Sequence, residues 1–130
     1  MFEVNVKEVL LILLVILFLD FVYISSFSTY LSYLFKNIQK SPLEVNKIGF
    51  VCAYALLTFT VYYFGFVKQF TTKDMFILGI CIYGVYEFTN LSTFKNWEMK
   101  MVFLDTFWGG TLFFLTHQIV RYLSSTLKLK

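Results

Sequence analysis

Four long stretches of the chain are almost free of charge, and short polar segments separate them. From Val9 to Phe35 the only ionisable charge is Asp20. Ile48 to Val67, Met75 to Phe94 and Met101 to Val120 are each 20 residues long; the first carries no charge, the second only Glu87, and the third Asp105 and His117. At a rise of 1.5 Å per residue such a run covers about 30 Å, the thickness of a bilayer's hydrocarbon core. A helix satisfies its own backbone hydrogen bonds where water is missing. The runs lack the strict alternation that strands of a membrane β-barrel need. The pattern predicts an all-α integral membrane bundle: one transmembrane domain over residues 1–130, with four transmembrane helices at about 9–32, 48–67, 75–94 and 101–122.

The connections are short. Lys36 to Lys47 holds the only proline, Pro42, behind Ser41, which reads as a turn or helix start; Lys68 to Asp74 and Lys95 to Lys100 read as tight links between antiparallel helices. Lys7 before an apolar stretch resembles a signal peptide loosely. The stretch is too long for one, carries Asp20 and lacks a small-residue cleavage site, so the first span is expected to remain. Asn90-Leu91-Ser92 fits a glycosylation sequon but lies inside the third run, where it has no meaning as an acceptor.

Composition agrees with a lipid solvent. The 130 residues are 58% hydrophobic, 22% aromatic and only 15% charged, more apolar surface than a soluble domain this small can hide. The net charge of +3 is spread between the apolar runs, with no basic block, so nucleic acid is not an expected partner. The expected surroundings are the lipid bilayer and a membrane partner or second copy. Four spans put both termini on one side. Lys7, Lys68, Lys73, Arg121, Lys128 and Lys130 fall on that side, and Lys36, Lys40, Lys47, Lys95 and Lys100 on the other, which tips the positive-inside rule slightly toward cytoplasmic termini. Cys52 and Cys81 sit inside apolar runs, outside any metal-binding spacing, and are expected to be buried small hydrophobes. No metal or cofactor is expected.

The candidate chemistry lies in three intramembrane carboxylates, Asp20, Glu87 and Asp105. Each costs roughly 2.5–3.5 kcal/mol at a helix centre on insertion scales, and such groups normally face a bundle's interior. With the termini on side A and the opposite face called side B, antiparallel packing brings all three into the B-side half. Tyr83, Glu87, Asn90 and Phe94 share one helical face, as do Asp20, Tyr23, Ile24 and Phe27, and Asp105, Trp108 and Leu112. Tyrosine hydroxyls and the indole N–H can donate to carboxylates. The candidate intramembrane polar pocket is therefore Asp20, Tyr23, Tyr83, Glu87, Asn90, Asp105 and Trp108. No lysine or arginine lies within a span; Lys47, Lys95 and Lys100 could reach inward from the B boundary. The competing expectation is that the acids are hydrogen-bonded glue between helices. Gly109-Gly110 would admit a close neighbouring backbone. Trp97 reads as an interface anchor, and His117, near the A-side end, as a packed side chain away from the acids.

The run Tyr83-Gly84-Val85-Tyr86-Glu87-Phe88-Thr89-Asn90, then Trp97, then Asp105-Thr106-Phe107-Trp108-Gly109, resembles the membrane-protein family called domain of unknown function 2177. That family's third helix looks like Y-G-x-Y-D-x-T-N followed by a tryptophan, its fourth like D-x-x-W-G, and its first carries L-D-x-x-W, matched here by Leu19-Asp20-Phe21-Val22-Tyr23. Glu87 departs from the family's aspartate, Tyr23 from its tryptophan and Ser92 from its alanine. The resemblance implies a four-helix membrane protein with Asp20, Glu87, Asn90, Asp105 and Trp108 as signature positions, and implies no activity.

Three functional readings follow. An acidic and aromatic pocket without an internal base suits binding or movement of a proton, a cation or a cationic small molecule. Small size and short loops suit a structural or accessory subunit of a membrane complex. A lipid-modifying enzyme ranks third, since no nucleophile–base pair, HExxH or glycine-rich phosphate loop occurs and no catalytic residue can be named.

Overall fold

The computed structural model describes residues 3–129, and every regular element among them is helical. In chain order these are α1 (Val6–Ser26), α2 (Ser28–Gln39), α3 (Lys47–Thr60), a π-helical segment (Val61–Val67), α4 (Thr72–Thr93) and α5 (Met99–Thr126). Side-chain caps start three of them. Asn5 Oδ1 accepts from the Glu8 N–H at 3.2 Å, Asn46 Oδ1 from Gly49 at 3.0 Å and Thr71 Oγ1 from Asp74 at 3.1 Å.

The run expected as one helix over 9–32 is divided at Phe27, whose φ of −114° and ψ of 18° leave the helical region. Serines crowd the break. Ser26 Oγ bonds back to the Val22 carbonyl at 2.7 Å, a local bond that bends helices. Beyond it, α2 is 12 residues, too short to cross a bilayer. It is amphipathic, and Leu31 and Leu34 pack onto Trp97, Met101 and Val102. The second expected helix changes form at Val61. Its last turn is π-helical, with the Lys68 N–H reaching the Tyr63 carbonyl. His117 Nε2 lies 3.2 Å from the Gly65 carbonyl and Nδ1 2.8 Å from Thr72 Oγ1, so this buried histidine ties the π-helical segment to the start of α4.

Three segments are long and apolar enough to cross a membrane by length and composition: Val6–Ser26, Lys47–Val67 and Thr72–Thr93. The fourth, α5, has 28 residues, about 42 Å of helix. It is less apolar because it is the most enclosed element, burying Asp105, Thr116, His117 and Ser124 among apolar neighbours. All four long segments keep aliphatic and aromatic residues on the surface. Phe21, Val51, Val85 and Phe103 are all about two-thirds exposed. Cys52 and Cys81, expected inside, are on this outer surface as well; a thiol is apolar enough to face lipid. The two ends of the described chain meet on side A, where Asn5 Nδ2 donates to the Leu129 carbonyl at 2.8 Å.

The tightest contact joins α4 to α5. A Cβ built on Gly79 would lie 2.2 Å from the Gly109 carbonyl oxygen, and one on Gly109 2.3 Å from Tyr83 Cγ. Glycine is what permits the two backbones to meet, as in other membrane helix pairs. Gly49, in contrast, has only its own cap Asn46 nearby, at 3.7 Å. Gly79→Ala is therefore expected to lower the thermal unfolding midpoint in detergent, at an overpacking cost of about 1–3 kcal/mol. Gly49→Ala is expected to leave the midpoint unchanged or raise it slightly, since alanine favours a helix interior by roughly 0.5–1 kcal/mol. A Gly79→Ala protein as stable as the parent would show that the helices are not held at this distance.

Candidate functional site

Each span contributes to one polar cluster about two turns from its B-side end. Asp20 and Tyr23 come from α1, Tyr54 from α3, Tyr83 and Glu87 from α4, and Asp105 and Trp108 from α5. Asp20 accepts from Trp108 Nε1 at 2.8 Å on one oxygen and from the Tyr54 hydroxyl on the other. The Tyr23 hydroxyl donates to Asp105 Oδ1 at 3.0 Å. The Tyr23 and Trp108 rings stack with centroids 4.6 Å apart and planes 2° from parallel. That stack holds the donors of Asp20 and Asp105 as one unit, coupling α1 to α5 through both acids.

Glu87 is fully buried, at 0% exposure. Trp97 Nε1 donates to its Oε1 at 2.9 Å. Its other oxygen, Oε2, is buried and has no hydrogen-bond partner. The Glu87 and Asp105 side chains line the same cavity. No lysine or arginine among the described residues pairs with any of the three acids. Lys100, a candidate to reach inward, instead lies over the Tyr30 ring at 4.6 Å, while Tyr30 donates to Glu98 at 2.7 Å.

A cavity of about 270 Å³ adjoins the cluster. Asp20, Tyr23, Tyr83, Glu87, Trp97 and Asp105 line it on the bundle side, and α2 contributes Ser28, Leu31, Ser32 and Phe35 as a cover. Asn90, expected in the same pocket, is buried one turn beyond Glu87 but does not line this cavity, and its amide bonds no described residue. Trp108 stands behind Asp20 as its donor. Among the described residues no group of three His, Cys, Asp or Glu side chains is arranged to hold a metal ion.

Two contributors to the cluster, and one buried acid outside it, escape a reading of the sequence. Trp97, expected as an interface anchor, is 7% exposed and points its N–H inward to Glu87. The turn before α5 folds it under the bundle, against Phe35 of α2. Tyr54 sits at the same depth as the acids, and applying the depth argument to tyrosines would have found it. Glu8, just outside the first apolar run, is buried at the A side, where Ser124 Oγ donates to its Oε2 at 2.8 Å.

This architecture defines a small multi-pass helical membrane protein whose inward-facing acids are held by tyrosine and tryptophan donors. Residues 5–120 match the family described as "Predicted membrane protein (DUF2177)", and the chain belongs to that family. The description names no activity. No curated protein and no solved structure matches the chain.

Removing the indole N–H leaves Glu87 without its one donor. Trp97→Phe is expected to destabilise the fold by about 1–3 kcal/mol, the cost of an unsatisfied buried acceptor. Phe103→Leu, on the exposed face of α5, is expected to cost little. Equal thermal midpoints for the parent and Trp97→Phe would mean that the bond to Glu87 contributes nothing.

Proposed function

We propose that the cluster around Glu87 and Asp105 is an intramembrane binding site for a positively charged group, either a proton or a protonated amine. The observation that carries this reading is Glu87 Oε2: a buried carboxyl oxygen without a donor, beside a second carboxyl and next to a cavity. A structural acid is expected to have its oxygens satisfied, because an unpaired buried charge is among the costliest groups a fold can hold. Asp20 meets that standard, with a donor on each oxygen. Glu87 does not, and an acidic proton or a cation would supply the partner that its Oε2 lacks. The wall around Glu87 and Asp105 favours an organic cation over a metal ion. It supplies aromatic faces, which attract ammonium groups, and it lacks a convergent set of metal ligands among the described residues.

The test compares the parent with a Glu87→Gln, Asp105→Asn double variant, which removes charge and nearly preserves shape. Two buried carboxylates lining one cavity repel and are poorly solvated, so the variant is expected to be the more stable at neutral pH. The gap should close as pH falls and protons neutralise the native pair. Added amines should stabilise the parent and not the variant. A variant that is much less stable than the parent at every pH, with no response of either to amines, would assign the acids to helix packing and refute the binding site.

A further inference from the structure

The acid pair is flanked by a second opening. An apolar groove of about 470 Å³ runs between α3 and α4, lined by Ala53, Leu56, Leu57, Ile82, Tyr83 and Tyr86, and it ends at Asp105. Tyr83, Tyr86 and Asp105 also line the cavity under α2, so groove and cavity meet at Asp105, and Glu87 lines the cavity beyond it. The groove exists because α3 packs on α1 and on the π-helical segment but makes no close backbone contact with α4 or α5. Its rim is open to the outside, with Leu56 65% and Tyr86 55% exposed. The B-side approach is narrower in character. There α2 closes over the cavity, with Leu31 and Leu34 seated on Trp97, Met101 and Val102.

An apolar, laterally open groove that terminates at carboxyl groups with no cationic partner has a complementary ligand: an apolar chain with a positive head. Its volume falls within the roughly 300–1,000 Å³ usual for small-molecule sites. We infer that the site takes a cationic amphiphile, a long-chain amine, which slides in from the bilayer between α3 and α4. The ammonium lies between Glu87 and Asp105, and the chain lies along Ala53, Leu56 and Ile82. A purely polar cation has no use for such a groove, and an uncharged lipid has none for the acids. This inference rests on the reading of the acid cluster as a cation site and adds the class of ligand and its route.

The experiment uses the full chain in phosphatidylcholine nanodiscs and follows the thermal midpoint with three probes: dodecylamine, its uncharged counterpart dodecanol, and ethylamine, which lacks the chain. Ala53→Trp and Ile82→Trp fill the groove from opposite walls without touching the acids. Dodecylamine is expected to raise the parent's midpoint, and dodecanol to leave it unchanged. Either tryptophan variant should raise the dodecylamine concentration needed for half the effect by about tenfold or more, and leave the smaller response to ethylamine as it was. If both amines act on the parent and neither tryptophan variant alters them, the lateral amphiphile route is overturned while the cation site stands. If neither amine acts, the amphiphile inference is overturned together with the protonated-amine form of the cation site, and only the proton form stands. If dodecanol acts as strongly as dodecylamine, the groove is a general lipid contact and the inference is overturned. Tryptophan variants that change the oligomeric state, with an unchanged response to dodecylamine, would assign the groove to a second copy and overturn it equally.

Discussion

A carboxyl group inside an apolar span must be supplied with donors by its own chain, because lipid offers none. Most of the B-side half of this protein is arranged around that requirement. Asp20 draws Trp108 from α5 and Tyr54 from α3, and Asp105 draws Tyr23 back from α1. These bonds run between helices far apart in sequence, so satisfying the acids also fixes which helices are neighbours. The stacked rings of Tyr23 and Trp108 make the two acids' donors move together. The break at Phe27 belongs to the same arrangement. It turns α2 back over the cluster, where Leu31 and Leu34 can bury against Trp97, the donor of Glu87.

The bundle is packed in two different ways. Glycines at 79 and 109 bring α4 and α5 into close backbone contact. The helix α3 has no such lock. It is anchored at its A-side end, where His117 reaches the π-helical carbonyl of Gly65, and diverges from α4 toward the B side. Regular α geometry gives way to a π-helical segment from Val61 at that anchored end, away from the acid cluster. Rigid α4–α5 carries Glu87 and Asp105; the loosely packed helix borders the groove that reaches them. Precision at the acids and openness beside them thus come from separate elements.

Much of this was legible in the sequence, for identifiable reasons. The span count follows from charge-free runs of bilayer length, which any apolarity scale finds. The convergence of Asp20, Glu87 and Asp105 at one depth follows from antiparallel connectivity alone, and the glycine pair at 109 and 110 carries its close approach in its composition. The break at Phe27 is harder to see, because Ser25, Ser26 and Ser28 are tolerated in membrane helices and only their bonding pattern decides. Asn90 shares the helical face of Glu87, yet one further turn carries it past the end of the cavity. Trp97 was misread because tryptophan at a span's end usually faces the headgroups. Which way its ring turns depends on α2, and the position of α2 depends on the break. An error in one local element therefore moved a donor out of the cluster.

Glu8 gives an internal comparison for what the acids mean. Like Glu87 it is a glutamate nearly sealed from the surface. It stands in the first turn of α1, where the helix dipole favours a negative charge, and Ser124 donates to it from α5. Its placement is explained by ordinary helix electrostatics and one interhelical bond. Glu87 lies deep in its helix, beyond the reach of either helix end's first turn, and keeps an oxygen without a donor next to another acid. Alanine or leucine at that position would pack the same helices at no electrostatic cost. A chain that can satisfy a buried glutamate at one end of its bundle, and two oxygens of Asp20 at the other, is not short of donors. This contrast with Glu8 and Asp20, at a position that lines a cavity together with Asp105, is what motivates the proposal of a positively charged ligand there.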